Sequence, residues 1–138
     1  MAYWLVKEEP EKYNFAKLLK DGSTAWDGVR NYQARNNLRA MKVGDELIYY
    51  HTGKERAAVG TAVVTRAAYP DPTAQEGDWS CVDVEPGERL DRAVTLAEIK
   101  ADEKLNGCAL VKQGRLSVVP LTAAEFKRIR SLAKKASV

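Results

Sequence analysis

The sequence has few of the residues that build metal centres or nucleophilic active sites. It contains one histidine, His51, and two cysteines, Cys81 and Cys108, which lie far apart in apolar surroundings. Metal sites need several such ligands at close spacing, so we expect no metal and no cofactor, and we expect both cysteines to be buried. The pattern G-x-S-x-G is also absent, which removes one common signature of covalent catalysis.

Long hydrophobic runs are missing as well. No apolar stretch approaches the length needed to cross a bilayer, and the N-terminus lacks a basic segment and turns acidic at Glu8, unlike a signal peptide. We therefore expect an intracellular protein without membrane contacts, cytoplasmic or, in a eukaryote, nuclear. The 138 residues suffice for one core, so we expect residues 1–138 to form a single monomeric domain.

Charge is modest overall but unevenly distributed. The net charge is +3, while residues 26–42 hold four Lys or Arg against one Asp and residues 122–138 hold five against one Glu. The rest of the chain is therefore acidic. This segregation fits a positive surface that meets phosphates, although a charged run is also typical of a solvated face.

The stretch 26–42, W-D-G-V-R-N-Y-Q-A-R-N-N-L-R-A-M-K, predicts a turn followed by an amphipathic helix. Asp27-Gly28 is a turn signal and Asn31 stands at the N-cap position, where free backbone N–H groups can hold an anion. The buried stripe is predicted to consist of Ala34, Leu38 and Met41.

The opposite face of this helix carries residue types that suit a base and its phosphates. It consists of Tyr32, Arg35, Asn36 and Arg39, at i, i+3, i+4 and i+7. A phenol, an amide and two guanidiniums can stack on, hydrogen-bond to and neutralise a nucleotide. The alternative is an ordinary solvated helix face.

Runs of apolar or alternating residues predict strands at 3–6, 46–52, 57–69, 80–85 and 115–121. Both faces of 46–52 are apolar, which indicates a closed or covered sheet. Gly60 indicates a bulge or a close backbone approach, and Pro86-Gly87 indicates a turn. The segment 105–111 fits neither a helix nor a strand clearly.

Short helices are predicted at 15–20, 95–101 and from 122 onward. Asn14 is the expected N-cap of the first, with Phe15, Leu18 and Leu19 facing inward. Capping boxes are predicted for the other two, Thr95 with Glu98 and Thr122 with Glu125. The last helix has an apolar stripe and a basic exposed side.

The tryptophans and the histidine each allow two interpretations. Trp4, in the first strand, is either core or a stacking surface, and Trp79 stands at a loop-to-strand junction that suits the rim of a pocket. His51, at a strand end beside Tyr49 and Tyr50, is either a titrating group or a hydrogen-bonded structural residue. The polar loop from Tyr69 to Asp78 is long for a small domain, and such loops are often functional.

Six segments together resemble the EVE domain, the module of the thymocyte nuclear protein family. They are Y-W-L-V-K-E-E-P at 3–10, W-D-G-V-R-N-Y-Q-A-R-N-N-L-R-A-M at 26–41, Y-Y-H-T at 49–52, A-A-Y-P-D-P at 67–72, W-S-C-V-D-V at 79–84 and R-L-S-V-V-P-L at 115–121. The resemblance spans nearly the whole chain. It implies an α+β fold, a PUA-like mixed β-barrel of five to six strands flanked by short helices and related to the YTH and ASCH domains.

The resemblance also implies a non-catalytic binding module. EVE domains are regarded as readers of a modified base in DNA or RNA, with a flipped nucleotide in an aromatic-lined pocket. The pocket residues that it implies are Trp4, Lys7, Trp26, Asn31, Tyr32, Tyr50, His51, Trp79 and Ser117, to which the helix face adds Arg35 and Asn36. One departure is Glu8, where many members carry serine, so we expect a more acidic pocket mouth.

Two alternatives remain open at the level of sequence. In the first, the protein is an enzyme acting on a nucleotide or small anion, with His51 as acid or base and Lys7 or Arg30 holding the anion. In the second, it is a protein-interaction module that uses the basic last helix. In any of these roles Arg30 is a candidate ligand-binding residue.

Overall fold

The computed structural model describes residues 1–134 as one six-stranded sheet with five short helices packed on it. The elements are β1 (Tyr3–Glu8), α1 (Phe15–Asp21), β2 (Thr24–Trp26), α2 (Tyr32–Ala40), β3 (Glu46–His51), β4 (Ala57–Pro70), β5 (Ser80–Thr95), α3 (Leu96–Ala101), α4 (Ala109–Lys112), β6 (Val118–Leu121) and α5 (Ala123–Ala133). The α+β class and the number of strands are as predicted.

The strand order is β2-β5-β4-β3-β1-β6. β1 runs parallel to β3, and the other neighbours pair antiparallel. The sheet is mixed, as predicted, but hydrogen bonding does not close it into a barrel: within residues 1–134, β2 and β6 are its two edges. Because β1 and β3 are parallel, their carboxyl ends, at Glu8 and His51, meet at the same end of the sheet.

Helix α2 has the predicted start and the predicted buried stripe. The side chain of Asn31 accepts a hydrogen bond from the backbone N–H of Ala34 at 2.9 Å, and Ala34, Leu38 and Met41 are buried. Both predicted capping boxes are present, at the starts of α3 and α5. These helices form where they were predicted because caps and stripes are local signals.

Glycine permits a close approach between α1 and β4. A Cβ added to Gly60 would collide with the ring of Phe15, which is fully buried. The pairing of β4 with β5 also shifts register on both sides of Gly60. The predicted bulge or close approach is therefore confirmed, and both occur at this residue.

Three local expectations were wrong. Leu19 is 39% exposed, because α1 buries the stripe of Phe15 and Leu18 instead. Pro86-Gly87 does not turn the chain: β5 continues through it, with Pro86 opposite Ala62. The last strand begins at Val118 and not at residue 115. The segment 105–111, which fitted neither a helix nor a strand clearly, becomes helical from Ala109.

The last helix is less basic in structure than in sequence. Arg128 pairs with Asp102 at 2.7 Å and Arg130 pairs with Glu88. Lys135, also counted in its charge, lies outside the described residues.

Both predicted buried cysteines, Cys81 and Cys108, are buried. No helix in the described part of the chain is long and apolar enough to span a membrane.

Candidate functional site

The fold distributes the twelve candidate residues over several environments rather than around one cavity. Trp4, Trp26 and His51 are all buried, with Trp4 7% and Trp26 6% exposed, and Trp26 also lines a cavity beside β1. Lys7 and Tyr50 line a second cavity. The remaining side chains lie on or near the exposed face of α2 and the loop that follows β4. These are Arg30, Asn31, Tyr32, Arg35, Asn36 and Trp79. Ser117 contributes its main chain.

The interior positions are held by hydrogen bonds to other parts of the fold. Trp4 donates its indole N–H to a carboxylate oxygen of Asp45 at 3.1 Å. His51 accepts the backbone N–H of Phe15 on Nε2 at 3.1 Å, and its Nδ1 lies 2.8 Å from Glu55. Since Nε2 accepts, the neutral ring carries its proton on Nδ1 and donates it to Glu55. His51 is therefore a hydrogen-bonded structural residue, and its contact with Phe15 holds the start of α1.

Trp26 lines a cavity of about 280 Å³ beside the end of β1, which we call the Trp26 cavity. Its lining residues are Glu8, Lys12, Tyr13, Thr24, Ala25, Trp26 and Asp27. The indole is held edge-on against the buried ring of Tyr49, with centroids 5.3 Å apart and planes at 87°. Packing therefore fixes the orientation of the wall that Trp26 provides.

Carboxylates give the Trp26 cavity an acceptor character. Glu8 lies at the end of β1 and Asp27 directly follows β2. Burial, and after it the charge of Asp71, raises the pKa of Asp27 above its usual value. The acidic mouth expected from Glu8 is thus accompanied by a second carboxylate, which we did not predict as a site residue.

Tyr32 and Trp79 form an aromatic pair in which Tyr32 is exposed and Trp79 is half-buried. Their rings stack with centroids 5.0 Å apart and planes inclined by 19°. The Arg35 guanidinium lies 5.0 Å from the centroid of Tyr32 and 5.8 Å from that of Trp79, and Arg30 lies 5.7 Å from Trp79. Guanidiniums at such distances interact favourably with the ring faces.

Two aspartates join the loop after β4 to α2, Asp71 to the segment before the helix and Asp78 to its last turn. Asp71, whose side chain is fully buried, accepts from the backbone N–H of Gly28 at 2.8 Å and from Arg30 at 3.0 Å. Asp78, which is exposed, pairs with Arg39 at 2.7 Å. Burial alone would raise the pKa of Asp71, but hydrogen bonds from Thr73, Gly28 and Arg30 outweigh it and lower the pKa to about 2.

Lys7 and Tyr50 line a second cavity of about 260 Å³, which we call the lysine cavity. Its lining residues are Lys7, Tyr50, Thr52, Gly53, Arg56, Leu96, Leu110 and Gly114. The ammonium of Lys7 donates to the carbonyl oxygen of Gly114 at 2.9 Å and lies 6.0 Å from the Tyr50 ring centroid. Successive strand residues face opposite sides of a sheet, so Lys7 and Glu8 serve different cavities.

The other candidates have mixed roles. Asn31 is occupied as the N-cap of α2 and also borders a shallow depression beside residues 112–116. Asn36 accepts from Arg35 at 3.0 Å. The carbonyl oxygen of Ser117 accepts the backbone N–H of Lys7 at 2.9 Å, which joins the chain before β6 to β1.

Sequence reasoning missed Tyr13, Asp27, Arg56 and Asp71 as residues of these surroundings. Asp71 carried one usable signal, because an aspartate between two prolines in a long loop is suited to a local hydrogen-bonded turn. The others lie near Trp26 or Lys7 only through the tertiary fold. Among residues 1–134 there is no group of three or more His, Cys, Asp or Glu placed to hold a metal ion.

Comparison with known proteins places these features in a family. The model of the EVE domain matches residues 2–132. Thymocyte nuclear protein 1 from Homo sapiens is 36% identical over 168 residues, an alignment that covers 97% of this chain and 75% of that protein.

Two solved structures are similar over nearly their full length. A protein from Agrobacterium tumefaciens has a TM-score of 0.94 and 38% identity, covering 100% of this chain and 97% of that one. The human THYN1 protein in complex with DNA containing 5-methylcytosine has a TM-score of 0.90 and 36% identity, covering 98% and 99%.

Proposed function

The chain belongs to the EVE domain family, and from this we propose that it is a non-catalytic reader of modified cytosine in DNA. The observation that carries the proposal is the Trp26 cavity, which combines aromatic walls with two carboxylates. The similar human protein is described in complex with DNA containing 5-methylcytosine. Recognition of RNA and a monomeric state stay predictions.

The size and walls of the Trp26 cavity suit one extruded base. Its volume of about 280 Å³ lies just below the range of about 300–1,000 Å³ that holds drug-sized ligands. Tyr13, which is partly exposed, and the small exposed part of Trp26 provide aromatic surface, and stacking contributes roughly 1–3 kcal/mol per base. Because flipping a paired base costs a few kcal/mol, we expect single-stranded or weakly paired sites to bind best.

The carboxylates favour cytosine over thymine. Cytosine presents an exocyclic amino group as a donor, whereas thymine presents a carbonyl acceptor at the same place. Asp27 and Glu8 can accept from the amino group and would repel the carbonyl. A 5-methyl group adds apolar contact worth about 0.8 kcal/mol, which corresponds to roughly a fourfold gain in affinity.

The aromatic pair and the arginines around it fit the flanking strand. Tyr32 is 67% exposed and can stack on a neighbouring base, while Arg35 can meet a phosphate. Arg30 and Arg39 are each paired with an aspartate, so we assign them mainly to holding the loop. Binding should weaken as salt rises, with a slope set by a small number of phosphate contacts.

The two alternatives find less support. His51 is buried and hydrogen-bonded on both ring nitrogens, which leaves it poorly placed for acid or base chemistry on a ligand. Two arginines of the last helix are paired with acidic residues from other elements, which reduces the positive surface available to a protein partner. A nuclear location in eukaryotes or a cytoplasmic one in bacteria stays a prediction.

The proposal is tested with three single-stranded oligonucleotides that differ at one position, carrying 5-methylcytosine, cytosine or thymine. Fluorescence anisotropy gives the dissociation constant of each. We expect 5-methylcytosine to bind about fourfold more tightly than cytosine, and thymine to bind at least tenfold more weakly than 5-methylcytosine. Equal affinity for thymine and 5-methylcytosine would contradict the role of the carboxylates.

Asp27→Asn is the decisive variant, because Asp27 is exposed enough for the fold to tolerate the change. It should reduce the preference for 5-methylcytosine over thymine. Glu103→Gln, at an exposed residue after α3, changes the charge equally and should leave the preference intact. If Glu103→Gln reduces the preference as much as Asp27→Asn does, the effect is one of net charge. If neither variant reduces it, the Trp26 cavity is not the base site.

A further inference from the structure

The lysine cavity is a second, half-open cavity, separate from the Trp26 cavity to which the base is assigned. It lies beside the parallel ends of β1 and β3, between the loop after β3, the start of α3 and the loop after α4. Among its lining residues are two cations, Lys7 and Arg56, and no carboxylate. We propose that this cavity binds the phosphate group of a nucleotide, with the attached organic part against its apolar wall.

The surroundings of Lys7 favour the binding of an anion. Its side chain is partly buried, and this burial lowers the pKa of the ammonium below its ordinary value. One N–H is assigned to the carbonyl oxygen of Gly114 at 2.9 Å, and an ammonium has three donors. Burial removes part of the hydration of this ammonium, and a phosphate oxygen would replace the lost water with a charged partner.

Arg56 has an unusual backbone conformation at the mouth of the cavity. Its φ is 45°, the single positive value among the described non-glycine residues. A bulky side chain in this region is energetically unfavourable, and such residues concentrate at functional sites. Glycine would fit this conformation without cost. The Nε of Arg56 donates to the carbonyl oxygen of Gly53 at 3.3 Å, which leaves the two terminal nitrogens of the guanidinium as further donors. A guanidinium can bind phosphate through two parallel hydrogen bonds.

The apolar part of the cavity defines the rest of the ligand. Tyr50, Leu96 and Leu110 also line it, and Tyr50 and Leu110 are buried. Inorganic phosphate would leave this surface uncovered, whereas a nucleoside 5′-monophosphate would cover it with its sugar or base. The volume of about 260 Å³ is too small for a large ligand to be enclosed completely.

The lysine cavity is separate from the Trp26 cavity. Lys7 lines the first and Glu8 lines the second, and the two residues alternate sides along β1. The inference therefore does not depend on the proposed base site. The phosphate can come from a free nucleotide or from the backbone of a bound strand.

The test is a titration of the full-length protein with thymidine 5′-monophosphate, followed by NMR of backbone amides. We expect chemical-shift changes at Thr52, Gly53 and Gly114, with binding at least tenfold tighter than that of thymidine or inorganic phosphate. No change at these residues, or equal binding of thymidine, would overturn the proposal.

Arg56→Gly separates a binding role from a structural one. Because glycine relieves the unfavourable φ, the melting temperature should stay the same or rise, while affinity for the nucleotide falls at least tenfold. Lys54→Gly, in the same exposed loop, should leave affinity unchanged, and Lys7→Met should weaken binding while keeping the apolar stem. Full affinity in Arg56→Gly would refute the assignment.

Two further arms identify the source of the phosphate. If a single-stranded oligonucleotide displaces thymidine 5′-monophosphate from the Gly53 and Gly114 signals, the site serves the DNA backbone. If both bind together, it serves a free nucleotide. Asp27→Asn should not affect either result, so failure of the base site and failure of the lysine cavity can be told apart.

Discussion

Tyr32, in the first turn of α2, stacks on Trp79, which directly precedes β5, at a centroid distance of 5.0 Å. The contact joins a helix to the end of a polar loop 47 positions further along the chain. A cavity outlined by Trp79 and Tyr32 was expected, but the rings cover each other instead. Tyr32 is 67% exposed, so a nucleobase can still reach its ring.

Replacement of Tyr32 should destabilise the protein slightly. Tyr32→Ala removes a stacked pair, and such pairs contribute about 0.5–1.5 kcal/mol, so we expect a loss of about 1 kcal/mol in the free energy of unfolding. Urea denaturation followed by tryptophan fluorescence measures it. Tyr32→Phe keeps the ring and should match the unmodified protein, and a similar loss in both variants would contradict stacking as the cause.

Stability should fall at low pH through Asp71. Its pKa is lowered to about 2 in the folded state, against about 3.9 in an unfolded chain. Because the folded pKa is the lower one, the carboxylate stabilises the fold above pH about 4, and this contribution, on the order of 2 kcal/mol, disappears as the pH falls toward 2. Urea midpoints at pH 5 and pH 2.5 would show it.

Asp71→Asn should lose most of this pH-dependent contribution and be less stable at pH 5. Asp78→Asn is the control, since the Asp78 side chain is 81% exposed and its pair with Arg39 contributes little. If both variants keep the same dependence on pH as the unmodified protein, other carboxylates are responsible.

His51 should contribute to the stability of the fold. His51→Ala leaves the buried N–H of Phe15 without its acceptor, and an unsatisfied buried donor costs about 1–3 kcal/mol. Thermal unfolding by circular dichroism measures the loss. Glu55→Gln, at a partner that is 42% exposed, should cost less than about 1 kcal/mol. An equal effect of the two changes would point to the His51–Glu55 pair instead of the Phe15 contact.

Gly60→Ala should destabilise the packing of α1 on β4. The added methyl group meets the Phe15 ring, and overpacking of this kind costs about 1–3 kcal/mol. The double variant that combines Gly60→Ala with Phe15→Leu should recover part of the loss. The changes in unfolding free energy of the two single variants, measured by chemical denaturation, should therefore not add up to that of the double variant. Gly107→Ala, where a Cβ meets nothing within 4 Å, should be nearly neutral.

The local parts of the fold could be predicted from the sequence. Asn31, Thr95 and Thr122 cap helices as expected, because a cap depends on residues three positions apart. One failure occurred where a local signal competed with pairing across the sheet. Pro86-Gly87 has the composition of a turn, yet β5 extends through it because β4 provides a partner along its length.

The candidate site could be predicted in composition but not in arrangement. The sequence indicated aromatic and basic residues on α2 and in the loop before β5, and these do meet, at Tyr32, Arg35 and Trp79. It gave no means of separating Trp4, which is buried on Asp45, from Trp26, which lines a cavity. Nor did it show that Lys7 and Glu8 would line different cavities.

The sequence by itself determined the family, the helix starts and the apolar stripes, because these depend on residue types at short spacing. Only the tertiary structure decided which indoles are buried, which cations are paired and where cavities remain. The physical reason is that these properties arise from contacts between distant residues. Asp71, for example, is held in its buried position by Gly28 and Arg30 from another part of the chain.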